Sequence, residues 1–454
     1  LARDRFGVKP LYYTQVGNCF AFASQLDALM RWPAVQRDVS VQSIHEYLTF
    51  HYVPAPRSIL SGVSKLRPAE RLIACDGRLS TEQYWDVSFQ SDEQRSDDEW
   101  MELIRRGLDS SAVVSAMHRA SPDPVRTFTA GFDDPRFDER AGARALAKRI
   151  GADHRDCVIV PDPADTVEAL SRCFDEPFAD PSAIPTYEIS RAAAQHVKCV
   201  LSGDGGDEVF AGYSRYRRHH RQRLLRRVAA APVSRDVIGT LASGMGRRIG
   251  AAATNLIAPH DRAHYMSVAW FDPQETRDLL SPDAARTLGG HDPFDVLGHH
   301  FDSCQTENPL QRSQYVDIKT WLADGVLCKT DRAAMAHGLE VRVPLLDARW
   351  VKTMAALPDR LKIRSRTGKI ALRRALTPDL GPEIVNRQKR GFEVPLDAWF
   401  KGPLREIIHD LLLAPDARVT QWLNPHAITD AWSALERNRR GIGARLWSLL
   451  MLET

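Results

Sequence analysis

Two short loops combine glycines, carboxylates and hydroxyl groups in patterns that suit phosphate chemistry. Residues 107–111 read GLDSS, and residues 202–208 read SGDGGDE. Glycines let a backbone turn tightly against a ligand, hydroxyl and N–H groups at the start of a helix bind anions, and a carboxylate beside phosphates is a ligand for Mg²⁺. Together the loops predict a site for a magnesium-bound nucleotide. Each loop alone is also compatible with an ordinary helix start or a glycine-rich turn.

The elements around these loops alternate between strands and helices. The pattern predicts strands at 125–132, 154–160 and 197–201, and helices at 138–150, 163–174 and 187–196. Such alternation is typical of βαβ units and a parallel sheet. The mostly apolar segment 197–201 predicts a short buried strand that leads directly into the second loop. Because ligands bind at the carboxyl ends of parallel strands, we expect this loop to contact the nucleotide.

The rest of the chain divides into three parts. Residues 1–88 contain short β-like runs between turns, residues 89–102 are polar and acidic and predict a linker, and residues 103–454 carry the alternating elements and then a mostly helical region. The net charge of +3 gives no whole-chain reason to expect nucleic-acid or membrane binding. We expect a cytoplasmic protein with reduced cysteines, and we expect Cys19 and Cys75 to be buried structural thiols.

The densest local charge is the run RYRRHHRQRLLRR at residues 215–227. One interpretation is a contact for a nucleic-acid backbone, and the other is the solvated helix face of an enzyme. The helix face is favoured because the whole-chain charge is balanced and no nucleic-acid-binding motif accompanies the run.

An ordered series of motifs resembles the glutamine-dependent asparagine synthetases, which are ATP-pyrophosphatases. The series begins with RDRFGVKPLYY at residues 3–13, which is similar to the end of the family's glutaminase domain. It continues with GLDSS at 107–111, TFTAGF at 127–132, FADPSAIPTY at 178–187, SGDGGDEVFAGY at 202–213, KTDRA at 329–333, GLEVRVPLLD at 338–347, TGKIALR at 367–373 and RQKRGF at 387–392. The resemblance therefore covers nearly the whole chain.

The resemblance implies both a fold and a reaction. The fold is α/β: a doubly wound ATP-pyrophosphatase domain with a helical extension at 103–454, a linker at 89–102, and at 1–88 the remnant of an αββα N-terminal-nucleophile glutaminase domain. The family uses ATP to convert the side-chain carboxylate of aspartate into a β-aspartyl-adenylate with release of pyrophosphate. Ammonia, normally from glutamine, then displaces AMP.

The resemblance also implies roles for individual residues. Asp204 stands at the position of the acid that handles the ammonia proton, and Lys369 stands at the position of the lysine that stabilises the leaving pyrophosphate. Asp109 and Asp207 are the expected Mg²⁺ ligands. The residues expected to bind ATP and pyrophosphate are Gly107, Asp109, Ser110, Ser111, Ala130, Ser202, Gly203 and Asp207.

Two departures from the family pattern bear on activity. The family's first loop begins Ser-Gly-Gly after a buried strand, whereas Arg105 and Arg106 precede Gly107, and residues 97–104 (DDEWMELI) are helix-like. A helix end, a strand and half a loop, about 20 residues, are absent from the pattern, and their loss would leave adjacent strands unpaired. The family's glutaminase also uses an N-terminal Cys where this sequence has Leu1. We therefore expect a fragment that does not hydrolyse glutamine and uses free ammonia at best.

Three interpretations remain open from the sequence. The first is an asparagine synthetase with aspartate, ATP and ammonia as its small-molecule substrates. The second is a related amidotransferase that acts on another carboxylate, such as those associated with exopolysaccharide or exosortase systems. The third is a catalytically inactive fragment or scaffold. A homodimer is compatible with each of them.

Overall fold

The computed structural model describes residues 1–106, 117, 123–131, 138, 140–159, 163–229, 255–386, 394–439 and 441–454. Four residues predicted to bind ATP or Mg²⁺, namely Gly107, Asp109, Ser110 and Ser111, lie outside the described residues. The motif at 387–392 lies outside them as well.

The first 85 residues form two small antiparallel sheets and two helices. One sheet has three strands in the order β2-β1-β3, and the other is the hairpin β4-β5. The elements are β1 Tyr12–Val16, β2 Cys19–Ala23, α1 Leu26–Met30, α2 Val41–Phe50, β3 Ser64–Lys65, β4 Glu70–Cys75 and β5 Arg78–Gln83. Helix α2 contacts the last helix of the chain, where the buried Tyr47 hydroxyl donates a hydrogen bond to the Ser448 carbonyl at 2.7 Å.

The expectation that Cys19 and Cys75 are buried was wrong, because both are exposed. Each cysteine ends a hairpin strand, Cys19 after the turn at 17–18 and Cys75 before the turn at Asp76 and Gly77. The second turn has positive φ at both residues, 49° and 73°, as a two-residue Asp-Gly hairpin requires. Side chains at these strand ends face solvent because none of the described elements covers them.

The last part of the predicted linker at 89–102 belongs to a helix, α3, which spans Asp97–Arg106. Ser96 and Glu99 cap its start, since each side chain accepts a hydrogen bond from the backbone N–H of the other. Trp100 is fully buried on the apolar face of α3, which also packs against the later helix at 370–380. The expectation that these residues form a helix rather than a buried strand is confirmed.

The alternating region contains two parallel strand pairs, β6 with β7 and β8 with β9. Its elements are β6 Arg126–Gly131, α4 Arg140–Ile150, β7 Asp153–Val158, α5 Pro163–Cys173, α6 Ala183–Ala194, β8 Cys199–Leu201 and, far along the chain, β9 Glu340–Arg342. Each predicted strand and helix has a counterpart, with ends that differ by a few residues; Phe132 and Val160, two of the predicted ends, lie outside the described residues.

The prediction of a buried strand at 197–201 was wrong about its burial. Cys199 is exposed and Leu201 is 38% exposed, whereas Val200 between them packs with Val341 of β9 on an apolar cluster. Alternate side chains of a strand point to opposite faces, so β8 buries only one face. Among the described residues no strand pairs with the second edge of β6 or of β8, and the two parallel pairs form separate sheets.

The remaining elements are mostly helices. They are α7 Gly206–Val209, α8 Ser214–Ala229, α9 His260–Val268, α10 Pro273–Leu279, α11 Pro282–Leu288, α12 Phe294–Ser303, α13 Pro309–Asp317, a π-helix at Ile318–Leu327, α14 Cys328–Met335, a 3₁₀ turn at Pro344–Leu346, α15 Ala348–Ala355 and α16 Asp359–Lys362. They continue with the short strands β10 Ile363–Arg364 and β11 Thr367–Gly368, then α17 Ile370–Leu380, α18 Pro382–Val385, α19 Leu396–Lys401, α20 Arg405–Ile407, a π-turn at Ile408–Leu412, a 3₁₀ turn at Arg418–Gln421, α21 Pro425–Glu436 and α22 Gly443–Glu453.

One large apolar core joins the first 85 residues to the helical region. It includes Phe6 and Ile44 from the start of the chain and Leu322 and Trp447 from the later helices. In the part of the chain that the structure describes, no helix has both the length and the apolar character needed to cross a membrane.

Candidate active site

The loop after β8 is a tight turn that requires glycine. Ser202 extends the parallel ladder by donating its N–H to the Arg342 carbonyl at 2.9 Å. Gly205 then has φ 88°, and a Cβ at this position would lie 2.3 Å from Leu346 Cδ2. Gly205 precedes the short helix α7, which therefore begins with Gly206, Asp207 and Glu208. Ser202, Gly203 and Asp207 thus lie at the carboxyl end of a parallel strand, as predicted.

The carboxylate of Asp204 is held by two hydroxyl groups on one of its oxygens. Ser202 Oγ donates to Asp204 Oδ2 at 2.8 Å, and Thr330 Oγ1 donates to the same oxygen at 3.0 Å. Within the described residues no hydrogen bond reaches Oδ1. The side chain therefore has a fixed direction and keeps one oxygen for another partner.

Asp207 and Lys369, far apart in sequence, meet in the structure. Lys369 Nζ lies 3.2 Å from Asp207 Oδ1. Lys369 has φ 56° at the start of α17, and its N–H donates to the Phe210 carbonyl at 3.2 Å. This left-handed conformation is uncommon for a residue with a side chain and is held here by the adjoining loop.

Gly212 provides the space in which these two side chains meet. A Cβ on Gly212 would lie 1.8 Å from Asp207 Oδ1 and 2.5 Å from Lys369 Cε. The arrangement of a lysine, a carboxylate and a close-packed glycine is chemically suited to a magnesium-bound phosphate chain. Among the described residues no cluster of three or more His, Cys, Asp or Glu forms a separate metal site.

Two arginines add positive charge beside Gly212. Arg217 Nη1 donates to the Gly212 carbonyl at 2.7 Å, and Arg373 Nε donates to the Gly368 carbonyl at 3.2 Å. Burial, together with the charge of Arg217, lowers the pKa of Arg373 from its ordinary value. The positive field around Lys369 is therefore larger than that of the lysine alone, which favours an anionic ligand.

A partly buried hydrogen-bonded chain behind this loop was not predicted from the sequence. Trp321 Nε1 donates to the Tyr213 hydroxyl at 2.9 Å, and that hydroxyl donates to Glu208 Oε1 at 2.7 Å. Gln314 Nε2 also donates to the carbonyls of Glu208 and Val209. Burial and the neighbouring charge of Asp207 raise the pKa of Glu208 to about 7. The adjacency of Glu208 to Asp207 in the loop motif was a usable signal for an acid with perturbed ionisation.

The segment that begins at residue 178 places a second buried carboxylate near α14. Lys329 Nζ lies 2.9 Å from Asp180 Oδ2, and Ser182 Oγ donates to the same oxygen at 2.8 Å. Burial alone would raise the pKa of Asp180, but the charge and hydrogen bonds of Lys329 and Ser182 hold it below its ordinary value. This segment is fixed relative to Asp204, because Lys329 and Thr330 are consecutive residues of α14.

Ala130 lies in the other strand pair, near the end of β6, and is buried. Its neighbour Gly131 is a close-packed position, where a Cβ would lie 2.1 Å from Asp138 Oδ1. The structure thus places Ser202, Gly203, Asp204 and Asp207 on one loop and brings Lys369 to Asp207. Ala130 lies on a separate sheet, and Gly107, Asp109, Ser110 and Ser111 lie outside the described residues.

The basic run at 215–227 forms most of α8, and its first residues are part of the core. Asp317 accepts hydrogen bonds from Arg215 Nη2 at 2.8 Å, from the Tyr216 hydroxyl at 2.5 Å and from His264 Nε2 at 2.9 Å. Burial opposes ionisation of Asp317, but the charges of Arg215 and His264 hold its pKa far below the ordinary range. The start of the run therefore anchors the helix that follows the loop.

Comparisons with known proteins agree with these observations. Residues 106–454 match the model of the asparagine synthase family, and residues 1–85 match that of the glutamine amidotransferase domain.

The chain is 30% identical to the glutamine-hydrolysing asparagine synthetase 1 of Bacillus subtilis (strain 168) over 90% of the chain and 68% of that protein. It is 24% identical to asparagine synthetase 3 of the same organism over 86% of the chain and 64% of that protein. It is also 24% identical to the amidase chry2 of Gibberella zeae over 98% of the chain and 74% of that protein. The chain thus spans about two thirds to three quarters of the length of these relatives.

Proposed function

The chain belongs to the asparagine synthase family of ATP-dependent, amide-forming ligases, and we propose that its own reaction converts the side-chain carboxylate of aspartate into the amide of asparagine. The observation that carries the proposal is the meeting of Asp207 and Lys369 in the space left by Gly212, on the same loop that carries the oriented carboxylate of Asp204. This arrangement suits a reaction in which a phosphate chain leaves and a proton is then removed from an attacking amine.

The first step is adenylation of the acceptor. A carboxylate oxygen of aspartate attacks the α-phosphorus of ATP, and the bond from that phosphorus to the bridging oxygen breaks, so that pyrophosphate leaves with the electron pair. Lys369 stabilises the negative charge that develops on the leaving group, and Arg217 and Arg373 add to the positive field. Asp207, together with Asp109, would hold Mg²⁺, which when bound neutralises charge on the phosphates. Ser202 and Gly203 would contact the nucleotide phosphates, and Ala130 the nucleotide base.

The second step is transfer of nitrogen. Ammonia attacks the acyl carbon of the adenylate, the bond from that carbon to the AMP oxygen breaks, and the nitrogen loses a proton. Asp204 is the group that accepts this proton, since Ser202 and Thr330 hold its Oδ2 and no hydrogen bond from the described part of the chain reaches its Oδ1. The products are asparagine, AMP and pyrophosphate.

We extend the proposal to the architecture. The pairs β6–β7 and β8–β9 would be parts of one doubly wound sheet of the ATP-pyrophosphatase type in residues 103–454. Residues 1–88 would be the later part of an αββα glutaminase domain, joined through residues 89–102. The family match at 106–454, the glutamine amidotransferase match at 1–85 and the βαβ connection through α4 support this arrangement.

The test is carboxylate-dependent release of pyrophosphate from magnesium and ATP in the presence of ammonium. We expect release that requires aspartate and that yields asparagine and AMP in equal amounts. A panel of other carboxylic acids decides the acceptor, because a different acid that alone supports release would replace aspartate in the proposal. Absence of release with every acid, with ATP binding also absent by calorimetry, would contradict the proposed reaction and favour an inactive protein.

A further inference from the structure

The first turn of α14 contacts four different parts of the molecule through four consecutive residues. Lys329 binds Asp180 and Ser182, with Nζ 2.6 Å from Ser182 Oγ, and Thr330 binds Asp204. Asp331 forms an ion pair with Lys9, and Arg332 donates to the carbonyl of Ser24. Successive residues of a helix point about 100° apart, so a single turn can reach all of these partners.

Two of the four partners come from the first 85 residues. Lys9 lies within the motif at 3–13, and Ser24 follows β2. Asp175 strengthens the second contact, since it lies 3.7 Å from Arg332 and accepts the N–H of Leu26 at 2.9 Å. The N-terminal region therefore holds the same helical turn that holds Asp204.

The π-helix immediately before α14 is held by the same region. Asp324 Oδ1 lies 3.3 Å from Arg3 Nη2, and its Oδ2 accepts the N–H of Ala55 at 2.8 Å. All three groups are buried, and removing one partner of a buried ion pair leaves an uncompensated charge. If the N-terminal region were displaced, residues 324–332 would therefore lose the contacts that fix their position.

We propose that the first 85 residues have a positioning role in amide formation, in which they fix α14 so that Thr330 orients the Asp204 carboxylate. This role rests on the proposed function of Asp204, and it is separate from any chemistry on glutamine. Thr330 connects α14 to Asp204, because its hydroxyl is one of the two donors that hold Asp204 Oδ2 and thereby set the direction of Oδ1.

The proposal predicts a difference between the two steps of the reaction. Adenylation uses the Lys369 and Asp207 side of the loop, whereas nitrogen transfer uses Asp204. A defect in orientation of Asp204 should therefore reduce amide formation more than it reduces pyrophosphate release. A general loss of folding would reduce both in proportion.

The test compares Thr330→Val with Thr330→Ser in the full chain. Pyrophosphate release and amide formation are measured in the same reactions with magnesium, ATP, the accepted carboxylate and ammonium. For Thr330→Val we expect at least about a tenfold fall in amide formed per pyrophosphate released, because the proton acceptor is no longer oriented. Thr330→Ser keeps the hydroxyl and should recover the wild-type ratio to within about threefold.

The contribution of the N-terminal region is tested by Lys9→Met. Lys148→Met is the matched control, because Lys148 is exposed on α4, away from this interface. We expect the Lys9 variant to lower the ratio of amide to pyrophosphate in the same direction as Thr330→Val and the Lys148 variant to leave it unchanged. Thermal unfolding of each variant confirms that the chain is folded under the assay conditions.

Three outcomes would overturn the proposal. A proportional fall of both products in Thr330→Val would make Thr330 a structural residue only. An unchanged product ratio in Lys9→Met would show that the N-terminal region does not position Asp204. Absence of pyrophosphate release by the unmodified chain with any acid would instead refute the proposed function, and the positioning role with it.

Discussion

The loop side of the candidate site and the β6–β7 side are built in different ways. Behind the loop at 202–213, side chains from α13 and the π-helix donate hydrogen bonds to the loop, Gln314 to the Glu208 carbonyl and Trp321 to the Tyr213 hydroxyl. On the other side, β6 and β7 form a separate two-stranded sheet, and Val158 at the end of β7 is 44% exposed. Two-stranded sheets are marginally stable without a covering layer.

This difference separates two requirements of the proposed reaction. The charged groups that act on phosphate and ammonia are held by tertiary packing, so their geometry depends on residues far away in sequence. The strands expected to bind the nucleotide base depend on sheet pairing, which is incomplete among the described residues. Changes on the loop side should therefore have larger effects than similar changes on the β6–β7 side.

The largest effect is expected for Lys369→Met. Loss of the ammonium group removes the charge that stabilises leaving pyrophosphate, and we expect carboxylate-dependent pyrophosphate release to fall at least about 100-fold. Lys352→Met, at an exposed position on α15, is the matched control and should retain the wild-type rate. A Lys369 variant with a rate within threefold of wild type would show that phosphate stabilisation lies elsewhere.

The second effect concerns the pH dependence of stability through Glu208. Its pKa rises from the ordinary 4.5 to about 7 in the folded chain, so the folded state binds more protons than the unfolded state between these values. Stability from this group is therefore lost as the pH rises from 4.5 through 7, by up to about 3 kcal/mol. Glu208→Gln cannot ionise and should unfold at higher denaturant concentration than wild type at pH 8.

The comparison at pH 4.5 provides the control for Glu208. At this pH the folded state holds the proton and the unfolded state is half ionised, which costs the wild type only about 0.4 kcal/mol. The variant and the wild type should therefore differ little in their free energies of unfolding. Chemical denaturation at the two pH values measures both. Equal differences at pH 4.5 and pH 8 would mean that Glu208 is not a buried, titrating acid.

The third effect tests the space at Gly212. A methyl group in Gly212→Ala meets Asp207 and Lys369, so we expect a loss of about 1–3 kcal/mol in stability and a fall in pyrophosphate release. Gly290→Ala is the matched control, because nothing lies within 4 Å of its added Cβ and its φ is not in the left-handed region. If both variants unfold at the same denaturant concentration as wild type, the close approach at Gly212 does not exist in solution.

The smallest effect is expected on the β6–β7 side. Val158→Thr exchanges a methyl group for a hydroxyl at a side chain that is 44% exposed, and we expect a change within about 0.5 kcal/mol in the free energy of unfolding. Val209→Thr makes the same exchange at a position that is 2% exposed and should cost about 1–3 kcal/mol. Equal costs at the two positions would show that β7 is covered and would remove the contrast between the two sides.

Local pattern predicted most of the strand and helix positions. Hairpin turns, apolar periodicity and helix starts depend on neighbouring residues, so 125–132, 138–150 and 163–174 were predicted to within a few residues. The same reasoning predicted that residues 97–104 are helical rather than a strand. Burial was less predictable, as Cys19, Cys75 and Leu201 show, because exposure depends on which element covers a side chain.

The sequence by itself determined the residue types of the site. The acids and glycines of the loop at 202–208 and the lysine at 369 stand in motifs that predict phosphate binding. Only the tertiary structure decided that Asp207 meets Lys369, that Thr330 orients Asp204 and that Glu208 is buried beside Tyr213. It also decided that α14 is held by the first 85 residues. The physical reason is that distances between side chains and their ionisation depend on packing between segments that are remote in the chain, which no local pattern records.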